Sequence, residues 1–402
     1  MRSIATSLLA FVLATPALAD IDISAEIGKT GISATLETLE GLSRTRTEDE
    51  IFAIGGLRFL ATIEAALQLQ WRTGIGDMGN MLDIPILRLP VPPNPAPEPF
   101  KGEMISQLFA DVDAGMNEAR ATLETLPDDA DFALIIALDD LWFDINMNGT
   151  RDTREGAGTI LGPQIMGREW SKRKASTPLP VVRFDGSDAA WLLAYTHLLS
   201  GISNSILTYD PAAAIDDVIA TKAALGVVDR SVGTEEPYYD IVALLDAAVT
   251  IGEALRQTPN ADRSRVAKAH FLQMIAQNRR FWTMVKEESD NDHEWIPNDH
   301  QSSALGLTLP YGTADIWLSV LTDAEALLEG RLLVPFWRGA WDRGVNLGKL
   351  FDNPQPGSLI GWVQGDSAVP YLEKGPLISN AHLRAFNNLM TENSDLMMIF
   401  LN

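Results

Sequence analysis

The sequence predicts a mostly α, multi-helix globular protein with short β-hairpin additions. Three observations carry this. Apolar residues return every three or four positions through a series of long stretches, which sets them on one face of a helix. Runs that alternate as strands do are few and short. Of the 402 residues 46% are apolar, enough for a large core, and neither a solenoid repeat nor alternating βα units interrupt the pattern.

Taken in order, residues 47–73 form the first long helix, with Thr47 and Glu50 at capping-box spacing and Gly55-Gly56 as a weak point inside it. Residues 74–99 carry Gly74, Gly76, Gly79 and the prolines from Pro85 to Pro99, so a stiff extended connection follows. In 102–126, Ile105, Leu108, Phe109, Val112, Met116, Ala119, Leu123 and Leu126 share a face, and Pro127 ends the helix. Phe132–Phe143 is apolar and fits helix or strand; Val181–Phe184 fits a brief strand. Ser187 is placed to cap a helix to about Tyr209, and Asp210-Pro211 restarts the chain as N-cap and first helical residue.

Residues 211–225, 238–257, 260–288 and 313–329 repeat the 3.6 period. In 238–257 the expected buried face is Ile241, Leu244, Leu245, Ala248 and Leu255. Gly330 stands where a left-handed C-cap belongs. Arg331–Phe336 and Gly344–Leu350 can pair as a hairpin.

Residues 1–19 have the order of a signal peptide: Arg2, an apolar run from Ile4 to Val12, Pro16, then Ala17-Leu18-Ala19 as a small-x-small cleavage site. The expectation is a soluble, periplasmic or secreted bacterial protein starting at Asp20. Residues 20–402 read as one mostly helical domain, with a helical part at 20–130, an irregular middle at 131–186, and a helical part at 187–402 that ends in a Trp-rich segment. No later stretch is apolar for the length of a membrane span. With 54 acidic against 31 basic residues the net charge is -23, which disfavours nucleic acid and anionic membranes as partners. There is no cysteine, hence no disulfide, thiolate metal site or cysteine nucleophile.

One stretch in the middle carries a chemical pattern. Residues 144–155 read D-I-N-M-N-G-T-R-D-T-R-E. Asp144, Asn146, Asn148, Asp152 and Glu155 carry side-chain oxygens, and Asn148-Gly149 is a common turn pair. This resembles the calcium loop of EF-hand and dockerin-type proteins. The resemblance implies that Asp144, Asn146, Asn148, Thr150, Asp152 and Glu155 bind Ca2+, with Glu155 giving two oxygens. A hard cation of this kind takes about six to eight oxygens, and short side chains at alternate positions converge on it only if the chain curls. Position 8 is Arg151 instead of an aliphatic residue, and Gly156-Ala157-Gly158-Thr159 is a poor helix, so the loop is expected to stand alone. The bland alternative is an Asx-rich surface turn.

Weaker patterns follow. Asp290, Asp292, His293, Glu294, Asp299 and His300 gather in 289–300, as a second metal site, an acid/base pair or a solvated loop. Trp337, Arg338, Trp341, Arg343, Asn346, Trp362 and Gln364 mix rings and planar polar groups, as a sugar platform or as filler between loops. Gly74-Ile75-Gly76-Asp77-Met78-Gly79 matches G-x-G-x-x-G but follows a helix and leads into prolines, so a dinucleotide site is rejected. His197 and His270 read as core histidines. The function these readings predict is an exported soluble calcium-binding protein with a structural ion and a binding or scaffolding role. The alternative is an exported hydrolase acting on a polysaccharide or similar polar substrate.

Overall fold

The seven helices read from the apolar spacing are present, and six more among the described residues, at 23–30, 32–40, 157–166, 347–352, 359–364 and 381–390, add to them. The computed structural model describes residues 21–75, 86–166, 170, 172–174, 177–225, 237–306 and 309–390. The segment 1–19 read as a signal peptide, Pro85 and most of the glycine motif at 74–79 lie outside the described residues. The described chain is mostly α, with thirteen α-helices and two small antiparallel sheets. No helix among the described residues is long and apolar enough to cross a membrane.

Helices α1 (Ile23–Thr30), α2 (Ile32–Glu40), α3 (Glu48–Thr73) and α4 (Glu103–Leu123) open the chain. In α3 the Thr47–Glu50 capping box is fully formed. The predicted face of α4 is buried from Ile105 to Leu123. Strand β1 (Leu134–Ala137) pairs antiparallel with β2 (Val181–Phe184), so the ambiguous apolar stretch before the acidic loop is a strand.

Between the two strands, α5 (Ala157–Met166) corrects the expectation of a poor helix at 156–159. Its glycines lower helix propensity, but a Cβ on Gly158 would lie 2.7 Å from the Leu179 side chain. Close packing, which only glycine allows here, outweighs the propensity cost.

Helix α6 (Gly186–Thr208) is the axis of the fold and packs on α3, α4 and α9 (Ala261–Glu287). Its cap is Asp185, not Ser187: the Asp185 carboxylate accepts from the Ser187 amide, and the Asp188 carboxylate accepts from the Asp185 amide. Helix α7 (Ala212–Ala224) follows, one residue later than expected, with Pro211 at its N-cap and Asp210 bonded to the Ala212 amide. In α8 (Pro237–Arg256) the expected face is wrong. Leu244 and Leu245 are 61% and 58% exposed, while Ala247, Thr250 and Ala254 are buried. The helix packs through its small residues; a Cβ on Gly252 would reach Leu359 at 3.5 Å. The Ile241 side chain lies outside the described residues.

Helix α10 (Thr313–Leu328) ends before Gly330, which is left-handed at φ 73° as expected. The predicted hairpin is shorter: β3 (Val334–Pro335) pairs with β4 (Arg343–Val345), which also pairs with β5 (Leu372–Lys374). Residues expected to extend β4 instead form α11 (Leu347–Asp352), because the Asn346 side chain accepts from the Lys349 amide and starts a helix. Helices α12 (Leu359–Gln364) and α13 (Ala381–Met390) complete the chain.

Gly55 and Gly56 do different work. A Cβ on Gly55 would sit 2.5 Å from Leu123 Cδ2, where α3 crosses α4, whereas one on Gly56 would meet only Leu192 Cδ2 at 3.9 Å. Gly56→Ala is therefore expected to stabilise the chain by up to ~1 kcal/mol through helix propensity, and Gly55→Ala to destabilise it by about 1–3 kcal/mol through overpacking. Urea unfolding of both variants checks the opposite signs.

Helix α6 buries a polar stripe of Thr196, His197, Ser200, Ser203 and Asn204. His197 Nδ1 lies 2.9 Å from His270 Nδ1 on α9. Arg120 on α4 donates to Ser200 Oγ at 3.1 Å. Arg263 on α9 donates to Asp113 Oδ2 and Asn204 Oδ1 at 3.2 and 2.8 Å. The His pair is thus an internal bond, as the core reading of both residues requires. Burial, then the charge of Arg120, pulls His197 down to about 3, and the same two causes lower His270.

The native state therefore holds His197 neutral where the unfolded chain, titrating near ~6.5, binds the proton. The unfolded state takes up more protons, so this contribution to stability is complete above ~6.5 and is lost as pH falls toward about 3. NMR titration of the ring protons checks it. His197 stays neutral at about pH 5; a ring that protonates near ~6.5 contradicts the arrangement.

Candidate metal centre

The acidic loop at 144–155 is closed at its neck by main-chain pairing. The Phe143 amide donates to Glu155 O at 2.9 Å, the Ala157 amide donates to Leu141 O at 2.8 Å, and Trp142 stands opposite Gly156. Ile145 is fully buried and roots the loop in the main core. The neighbouring elements grip the neck from outside. Ser24 Oγ on α1 donates to Asp140 Oδ2 at 2.6 Å, and Trp142 Nε1 donates to Ile27 O at 2.9 Å.

Helix α3 holds the first residue of the loop by both its main-chain groups. The Asp144 amide donates to Glu64 Oε2 at 2.8 Å, and Gln68 Nε2 donates to Asp144 O at 2.9 Å. Glu64 and Gln68 are one turn apart, so a single helix face supplies both contacts. Ser33 on α2 satisfies the other Glu64 oxygen at 2.9 Å. Burial lifts the Glu64 carboxyl above the usual range against these bonds, and the charges of Asp144 and Glu155 lift it further.

Within the loop the oxygens turn back onto the chain. Asp144 Oδ1 and Oδ2 accept from the amides of Asn148 and Gly149, each at 3.0 Å. Asn146 Oδ1 accepts from Asn148 at 3.1 Å, Asn148 Oδ1 from Thr150 at 2.7 Å, and Asp152 Oδ1 from Arg154 at 2.7 Å. Glu155 reaches across the loop. Its two oxygens accept from the amides of Asn146 at 3.2 Å and Asp152 at 3.0 Å, and the residue is fully buried. Burial raises the Glu155 carboxyl, and the nearby Asp152 and Asp144 charges act in the same direction.

Two backbone features make the curl. Gly149 is left-handed at φ 69°, with nothing within 4 Å of where its Cβ would be, so its requirement is conformational and not steric. Met147 is also left-handed, at φ 58°. A non-glycine residue there costs of order 1–2 kcal/mol, and such strain gathers where a segment is held for a purpose.

The predicted residues Asp144, Asn146, Asn148, Asp152 and Glu155 are thus joined through the loop's own amides, as in a set of Asx turns, with Asn148 exposed and Glu155 buried; the Asp144, Asp152 and Glu155 carboxylates do not form a group within 4.8 Å of one another. Each oxygen named above uses one lone pair on an amide and retains another. Thr150 is exposed and contributes its amide to Asn148. Residues that the sequence reading missed are Glu64, Gln68 and Ser33; polar groups on the otherwise apolar face of α3 were the available signal.

The weaker patterns are also placed. Among the described residues the only group of three His, Cys, Asp or Glu ligand atoms within 4.8 Å of one another is Asp185, Glu288 and Glu294. Of the 289–300 set, then, Glu294 is drawn inward, while Asp290, Asp292, His293, Asp299 and His300 are exposed. Arg183 pairs with Asp185 and Asp290 at 3.4 and 3.5 Å. Burial raises the Glu288 and Glu294 carboxyls, and Asp188 beside them well above its usual range. Asp185 and Asp188 are engaged in capping α6, and the N-terminus of that helix with Arg183 accounts for the concentration of charge.

Trp337 and Trp341, at the β3–β4 turn, are 71% and 89% exposed, so they do not fill gaps. The Arg338 guanidinium lies 5.2 Å from the Trp337 ring centre. Trp362 stacks on Tyr371. Asn346 caps α11 and bonds Glu373.

Comparison with protein-family models, with curated proteins and with solved structures finds no match to this chain.

Proposed function

We propose that this chain is an exported protein that binds one calcium ion in the 144–155 loop, and that the ion is structural. The ligands are Asp144, Asn146, Asn148, Asp152 and Glu155 by side chain and Thr150 by its carbonyl. The observation that carries this reading is the buried, inward Glu155 carboxylate among Asp144, Asp152 and Glu64. Four carboxylates that repel one another at a site held by main-chain pairing are stabilised together by a divalent cation. The ion then fastens residues 141–157 to α3 and gives a cysteine-free exported chain a cross-link of another kind. Its wider role is binding or scaffolding.

Isothermal titration of the mature chain tests this. The expected result is one calcium per chain with a dissociation constant of about 10⁻⁴ M or tighter, weaker for magnesium, which demands a smaller octahedral shell. Asp144→Ala removes the heat. Absence of heat in the wild-type chain at about millimolar calcium overturns the proposal.

A further inference from the structure

A second feature lies on the inner side of the loop's neck. A partly open cavity of about 280 Å³ lies between α3, β1, α5 and α6, close to the range of ~300–1,000 Å³ usual for small-molecule sites. Leu60 and Phe59 on α3, Leu141 before the loop, Leu161 on α5 and Trp191 on α6 form its walls. Each is partly buried, packs against the main core and lines the cavity.

Gly56 is the floor of this space. Beyond Leu192 Cδ2 at 3.9 Å, nothing lies within 4 Å of a Cβ added there. A mid-helix glycine lowers helix stability, and no close helix crossing at Gly56 explains it, unlike its neighbour Gly55. The polar groups of the lining are few. Tyr195 and Arg88, both partly buried, are among them. Water in such a space has few partners, which favours an apolar guest.

We propose that this cavity binds an aliphatic chain with one oxygen-bearing end, of the fatty-acyl class, with the chain along α3 and the polar end at Tyr195 and Arg88. Aliphatic and aromatic walls supply the burial, and the single polar corner orients the guest. The inference does not rest on the calcium reading.

The probes are dodecanoic acid and dodecan-1-ol, followed by tryptophan fluorescence, since Trp191 and Trp295 line the space. Titrations are run on the mature chain in calcium and in chelator. The expected result is saturable 1:1 binding of dodecanoate at about micromolar concentration, with the alcohol within about tenfold because burial of the chain dominates. Gly56→Phe fills the floor and weakens both at least about tenfold, while Gly56→Ala retains them.

A diazirine-bearing dodecanoate on the unaltered chain provides an arm that needs no variant. Its cross-links are expected at 52–63, 134–143 and 191–199. Failure of both probes with and without calcium overturns the inference and leaves the metal reading intact, as the two are measured separately. Cross-links confined to the exposed Leu244–Val249 face of α8 overturn it as well, as does unchanged affinity in a folded Gly56→Phe chain.

Discussion

Calcium at about 100 times its dissociation constant raises the stability of the wild-type chain by about 2.7 kcal/mol, and Glu155→Ala abolishes the rise. The first number follows from linkage, since an ion that binds only the native state stabilises it by mass action. For a chain of this size it corresponds to a melting shift of about 3 °C. The second follows from position. One Glu155 oxygen crosses from the end of the loop to the Asn146 amide near its start, the other accepts from the Asp152 amide, and the residue is fully buried. Without calcium, the same substitution leaves the Asn146 and Asp152 amides without their acceptor, at about 1–3 kcal/mol, partly offset by removal of a buried charge. Differential scanning calorimetry in calcium and in chelator reads both effects. A Glu155→Ala chain that retains the wild-type calcium shift contradicts the ligand set.

Gly201→Val is expected to destabilise the chain by about 3 kcal/mol, whatever the calcium concentration. Helices α6 and α9 touch at Gly201, where a Cβ would lie 2.6 Å from Phe271 Cε1. The His197–His270 bond lies one turn away on the same interface. Valine must displace the Phe271 ring and disturb that pair. Shortening the ring in Gly201→Val/Phe271→Leu is expected to recover part of the loss, as residues in contact are not additive. Urea unfolding of the two single variants and the double measures the coupling; strict additivity contradicts the contact.

How much of this was legible in the sequence depends on whether the deciding interaction is local. The capping box of α3, the buried stripe of α4 and the left-handed Gly330 are each set by residues within a turn or two, and each is where periodicity and cap chemistry placed it. The fold class follows from the same local signals.

What failed was decided by partners distant in sequence. Leu244 and Leu245 have helical spacing, but α8 turns its small residues inward because α12 offers Leu359 at close range. Helix α5 forms despite its glycines because Leu179 requires that closeness. In the candidate metal centre the contacts from outside the loop were not readable from spacing. Glu64 and Gln68, some eighty residues away in sequence, became part of it only once α3 packed against β1 and the neck. The acidic cluster at the start of α6 joins Asp185 to Glu294 across a still longer separation.

The central claim is that these twelve residues curl around a divalent ion. A crystal structure of the mature chain grown in calcium, with the ion located by its anomalous scattering, tests it most directly. The account predicts one ion in the ring of Asp144, Asn146, Asn148, Thr150, Asp152 and Glu155, at about 2.3–2.6 Å from its oxygens, with Glu155 bidentate. An ion bound instead among Asp185, Glu288 and Glu294, or a loop that holds none at saturating calcium, contradicts it.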